Sequence, residues 1–204
     1  VDARAANQEF RAPPGVALAT VENFASVEVG PNDTLYISKG DVSNCFYRLG
    51  IEGPLCEFFG LPSVEAGVLG VDNLGGASVA PDEHIFPCLR VLPMGFTWGL
   101  FFAQRAVQNT VYKVPRLIPE NALENRSCNT VFSSKSMGLA HYVYVDNVGV
   151  LGLDSSEVQK TREAATKALD DVGLLTHELS DAAHVDEALG VVIDGAKGVI
   201  RLSD

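Results

Sequence analysis

Asp41 lies near the end of the run TLYISKGDV, and Asp146 with Asn147 interrupts the alternating run HYVYVDNVGVLG. Carboxylates at strand ends are held rigidly, and two that converge suit a hard cation such as Mg2+. That ion keeps much of its shell as water and substrate phosphate, so one or two protein carboxylates suffice. Two such ions about 4 Å apart clamp the attacking and leaving oxygens of an in-line phosphoryl displacement. If the two strands are neighbours, both acids emerge at one edge of a sheet. The pair Asp146-Asn147 is equally at home as the tip of a type I′ hairpin, with no chemistry attached.

The elements that must hold these acids follow from the hydrophobic pattern. A strand is expected over 34–42, with a short helical or turning segment in NCFYRLGI after it. Residues 50–83 are rich in Gly and Pro and read as a loop-rich crossover. IFPCLRVLP (85–93) is a further strand candidate, and FTWGLFFAQRAVQNTVY is apolar enough for a buried helix. A connection over 113–136 leads to strands at 139–145 and 148–153, joined as a hairpin through Asp-Asn. SSEVQKTREAATKALDDVG is the clearest helix, with a capping residue among Asp154, Ser155 and Ser156 and Gly173 beyond its end. Val158, Ala165, Leu169 and Val172 give it an apolar stripe. LLTHELS, EALGVVI and GVIRLS follow as strands, the last two turning at Asp194-Gly195. This order predicts an α+β fold, a mostly antiparallel sheet with helices on one face.

Composition narrows the class. The chain has 204 residues, 47% of them hydrophobic and 20% charged, enough to bury a core as one domain. No stretch reaches the length of a membrane span. Cys45, Cys56, Cys88 and Cys128 lie far apart without a C-x-x-C pair, so a reducing, intracellular setting (cytoplasm or nucleus) is expected. The net charge of −11 is unusual for a nucleic-acid binder, which generally carries a basic footprint. His84, His141, His177 and His184 lack metal-ligand spacing; His141 reads as a packed strand residue, and His177 and His184 as solvent-facing.

Taken in order, VDARAAN (Val1, Asp2, Arg4, Asn7), DVSNCF, LPMG with Gln104 nine residues after its Gly, YVDN and LG (189–190) resemble the motifs of reverse transcriptases of retroelements. The resemblance spans nearly the whole chain. It implies a polymerase palm with part of the fingers, residues 1–33 leading from fingers to palm and 34–204 forming the palm. It implies a retrotransposon polyprotein fragment, with further fingers, thumb and ribonuclease H parts lying outside these 204 residues. By that likeness Asp41, Asp146 and Asn147 would be catalytic, and Asp41, Asp146 and the carbonyl of Val42 would hold two Mg2+ ions, with Mn2+ as a substitute. Phe46 would be the wall that excludes a 2′-hydroxyl. Met94, Gly95 and Gln104 would lie along the incoming nucleotide, and Arg4, Tyr144, Leu189 and Gly190 along primer and template. The implied partners are an RNA or DNA template with its primer, and dNTPs, with no membrane.

The family expects a second aspartate where this chain has Asn147. An amide can hold the turn and ligate through its carbonyl, but brings no charge. RNA-directed DNA polymerisation is therefore one reading. The alternatives are an inactive, domesticated or decayed derivative acting as a binding module, and an RNA-dependent RNA polymerase palm, against which Phe46 argues.

Overall fold

The strand expected over 34–42 forms as β1, Tyr36–Val42, in a computed structural model that describes residues 2–125, 131–132 and 138–203. Val1, Cys128 and much of the connection after Asn125 lie outside the described residues. The later elements are helix α1 (Gly99–Val111), hairpin strands β2 (Leu139–Tyr144) and β3 (Asn147–Gly152), helix α2 (Ser155–Asp171), short β4 (Thr176–His177), and β5 (Val185–Ala188), β6 (Val191–Asp194) and β7 (Val199–Leu202). The expected α+β architecture is what forms: a four-stranded antiparallel sheet in the order β4-β1-β3-β2, a three-stranded antiparallel sheet β5-β6-β7, and helices. Among the described residues no helix is long and apolar enough to cross a membrane.

By contacts the chain divides into two units, Val1–Pro13 with Phe46–Gly99, and Pro14–Cys45 with Leu100–Asp204. The second unit contains both sheets. Alternation along the strands sends Ile37, Ala140, Tyr142 and Leu151 to one face, where Phe24, Leu123, Phe132, Val191 and Ile193 complete a buried cluster. Gly149 stands opposite Tyr142, and a Cβ there would overlap the tyrosine ring, so the hairpin requires glycine at this position.

The opposite face receives α2. Asp154 caps it by accepting from the Glu157 N–H at 3.0 Å. Its other end closes as a Schellman turn, with Gly173 at φ 86° and the Leu174 N–H on the Leu169 carbonyl at 3.0 Å. Val158, Ala165 and Leu169 are buried as the periodicity predicts, but Val172 is 54% exposed, because the helix has already ended there. Arg162 joins the buried stripe instead, its Nε donating to Ser38 Oγ of β1 at 3.0 Å. A buried arginine is invisible to a purely apolar template.

Several expected boundaries shift. Of the candidate strand 85–93 only Ile85 enters a ladder, together with His84 before it, while Cys88 and Val91 make single bridges; Pro87 and Pro93 have no N–H to donate. The β2–β3 turn is Val145-Asp146, with Val145 at φ 57°, so Asn147 is the first residue of β3 rather than part of the turn. LLTHELS pairs only at Thr176 and His177. Leu189 and Gly190, both at positive φ, form the turn between β5 and β6, and the β6–β7 connection runs over 195–198.

The first unit is irregular, held by Phe10, Phe58, Phe59 and Phe96 in edge-to-face contacts with centroids 4.9–5.1 Å apart. Short ladders join Val64–Glu65 to His84–Ile85 and Asn73–Leu74 to Ala77–Ser78.

Two buried polar side chains in the second unit have opposite fates. Gln104 of α1 is fully buried, its Nε2 donating to the Val143 carbonyl at 3.0 Å and its Oε1 accepting from the Val145 N–H at 2.7 Å. Gln104→Leu strands both backbone groups, at about 1–3 kcal/mol each. It should lower stability by about 2–4 kcal/mol in urea unfolding, and a loss under about 1 kcal/mol would show that the clamp is idle. His141 is also fully buried, beside the Tyr112 ring, and neither of its nitrogens has a hydrogen-bond partner among the described residues. Burial holds it down at about 4. The unfolded chain, near 6.5, therefore takes up the proton first, so stability is full above about pH 6.5 and falls towards pH 4, by of order 3 kcal/mol. His141→Leu should flatten that decline in denaturation curves taken between pH 7.5 and 4.5, and an unchanged slope would refute the assignment.

Candidate functional site

Strand register builds the site. His177 of β4 lies opposite Asp41 of β1, Asp41 opposite Asn147 of β3, and Asn147 opposite Tyr144 of β2. Four side chains therefore share one cross-strand row at the end of the sheet, where neighbouring Cβ atoms stand about 4.5–5.5 Å apart. Asp146 sits beside this row in the hairpin turn. The Val42 N–H donates to its carbonyl at 2.9 Å, carrying the β1–β3 ladder one step past its last paired residues. That bond ties the strand holding Asp41 to the turn holding Asp146, as the sequence reading anticipated for neighbouring strands.

Electrostatics reflect the convergence. Burial raises the Asp41 carboxyl above the ordinary range and the Asp146 charge raises it further, while His177 opposes both. Buried Cys45 responds to the same field: burial, then Asp146 and Asp41, push its thiol up to about 12, which keeps it protonated and unreactive. The Asn147 Nδ2 donates to Asp146 Oδ1 at 3.2 Å. An aspartate at 147 would replace that attraction with a carboxylate pair.

Among the described residues, no three His, Cys, Asp or Glu side chains gather as a ready-made metal cage. The donor set nonetheless fits a hard cation that draws most of its ligands from water and phosphate: two half-buried carboxylates of like charge, with the Asn147 amide alongside.

His177 is the residue whose place in the site the sequence did not reveal. It is solvent-facing as expected, but its Nε2 also lies 2.9 Å from Asp41 Oδ1, which makes it part of the site. Its place two residues after the pair Leu174-Leu175 gives no hint of a pairing 136 residues away. Tyr144 and Leu189 come together with Ala19, Thr20 and Val21 around a cleft of about 440 Å³. Gly190 stays in the turn beside them. Val42 is buried. Gln104, expected along the nucleotide, is instead spent on the hairpin backbone.

The remaining expected residues belong to the first unit. Phe46 is half-buried over Gly99, where a Cβ would stand 3.2 Å from its ring. Met94 is 59% exposed. Gly95 adopts φ 92°, and its carbonyl accepts from Asn7 Nδ2 at 2.9 Å while Asn7 Oδ1 accepts from the Thr97 N–H, also at 2.9 Å. One amide thus ties the first motif to the LPMG turn. Arg4 is exposed, with its guanidinium forked onto Asp2 at 2.6–3.0 Å, so it is paired within its own motif.

No family model and no curated protein matches this chain. Among solved structures, a foamy viral protease–reverse transcriptase in complex with an RNA/DNA hybrid superposes with a TM-score of 0.56 at 18% identity, over 100% of this chain and 21% of that one. A telomerase from Candida albicans in complex with a fragment of telomeric RNA gives a TM-score of 0.48 at 11% identity, over 91% of this chain and 36% of that one, too slight a likeness to argue from. The chain thus spans about a fifth of the viral polypeptide, and what the likeness shows is a reverse-transcriptase-like fold.

Proposed function

We propose that this chain is the palm, with part of the fingers, of an RNA-directed DNA polymerase that adds dNTPs to a primer 3′-hydroxyl. The observation that supports this most is the meeting of Asp41 and Asp146 at one sheet end, across a bond that joins their strands. Mg2+ held by Asp41 and Asp146, with the Val42 carbonyl near by, would supply the charge that activates the 3′-hydroxyl and stabilises the departing pyrophosphate. The protein's own contribution is placement. Gln104 fixes the hairpin backbone on either side of Tyr144, Asn7 shapes the turn that presents Met94 and Gly95, and the Tyr144–Leu189 cleft offers an apolar wall to a primer terminus. Phe46 would reject ribonucleotides by overlap with the 2′-hydroxyl. Template, primer and the remaining parts of a retroelement polyprotein are the partners this reading requires.

One observation favours a second reading, an inactive derivative that binds without catalysis. Asn147 is engaged with Asp146 and His177 with Asp41, so the carboxylates are partly satisfied by the protein itself.

Primer extension on an RNA template separates the two. The parent protein should extend with dNTPs and not NTPs, and Asp41→Ala should lower the rate at least about 100-fold. Asn147→Asp restores a full negative charge and should reduce the Mg2+ needed for half-maximal rate about tenfold, while lowering stability in the absence of cation. Silence from folded parent and folded Asn147→Asp alike would transfer the assignment to the binding module.

A further inference from the structure

Resting on the polymerase reading, we propose that His177 is a positioning residue for Asp41: its imidazole holds Oδ1 of the carboxylate and leaves Oδ2 as the oxygen available to a cation. The contact is 2.9 Å, Nε2 to Oδ1, between residues 136 apart in sequence. An ionised carboxylate only accepts, so the hydrogen resides on Nε2 and the imidazole donates. The other ring nitrogen faces Glu178 Oε1 at 3.8 Å, which places the imidazole between two acids.

The backbone is arranged around this contact. β4 pairs at two residues only, Thr176 with Val42 and His177 with Asp41. It is anchored where it enters that pairing. The Ser43 N–H donates to the Leu175 carbonyl at 2.9 Å, and the Thr176 N–H donates to Asp170 Oδ1 of α2 at 2.7 Å. Immediately after His177 the strand ends, as Glu178 turns to φ 50°, a conformation non-glycine residues seldom adopt. The neighbouring Asp146 charge works against the ionised Asp41 carboxylate, and the His177 contact opposes it. Ligating carboxylates are commonly held by an outer hydrogen bond of this kind, and its loss typically weakens metal binding about 10–100-fold.

Mn2+ affinity, read from the free-ion electron paramagnetic resonance signal during titration of the 204-residue protein, tests this without reference to activity. His177→Leu should bind Mn2+ about tenfold more weakly than the parent, whereas His177→Gln, whose amide N–H reaches the same place, should lie within about threefold of it. Equal or tighter binding by folded His177→Leu would overturn the proposal, making the imidazole a bystander or a competitor for Asp41. Should His177→Leu fail to fold by circular dichroism, tenfold weaker binding by folded His177→Gln would overturn it equally. Asp41→Asn serves as the control: if it binds Mn2+ as the parent does, the carboxylate centre itself is absent and the polymerase reading falls too. If only the His177 variants are silent, the polymerase reading stands and this inference alone is lost.

Discussion

The site depends on the antiparallel register of β1 against β3. Asp41 opposite Asn147, followed by the Val42 N–H on the Asp146 carbonyl, decides that two acids more than a hundred residues apart share one sheet end. A slip of one residue would turn Asp41 to the face covered by α2 and leave Asp146 without its strand partner. The core enforces the register, because Ile37 and Leu151 must enter the buried cluster while Ser38 must meet Arg162. Hydrophobic alternation thus fixes the position of a charged pair that contributes little to stability of its own; burial and mutual repulsion both work against the Asp41 charge.

Around that register, side chains that grip backbone or carboxylate do the finer placement. Gln104 holds the hairpin at Val143 and Val145, Asn7 holds Gly95 and Thr97, and His177 holds Asp41. Each satisfies groups that a turn or a strand end would otherwise leave unpaired, which is how a site at the ends of elements acquires rigidity. Asn147 fits the same pattern. Its amide donates to Asp146, so the residue found where the resemblance leads one to expect a second aspartate is engaged with the first. A site with one fewer charge is easier to fold and harder to load with a cation.

Much of this was legible in the sequence where a local rule governs. The strand ending near Asp41, the hairpin around Asp146, the long capped helix and the α+β order all follow from periodicity and capping. What escaped were features set by tertiary pairing. Nothing in LLTHELS marks His177 as a neighbour of Asp41, and the register that makes it one is fixed by β4 lying against β1. Gln104 was expected along a nucleotide because its spacing from Gly95 matched a motif, whereas burial assigns it to the hairpin. The strand expected over 85–93 failed where Pro87 and Pro93 remove donors that an apolar pattern does not count. Arg162 illustrates the complementary error, a charge placed in the core because Ser38 offers it an acceptor.

By this geometry, Asp41 and Asp146 form one electrostatic centre. Carbon-13 NMR titration of the Asp41 carboxyl, in the parent and in Asp146→Asn, tests it most directly. Removing the neighbouring charge should move the Asp41 midpoint down towards the ordinary aspartate range, leaving the part of the elevation that burial and Glu178 cause. An Asp41 midpoint that does not move in folded Asp146→Asn would mean that the two carboxylates do not sense each other, and the two-carboxylate account of the site would be wrong.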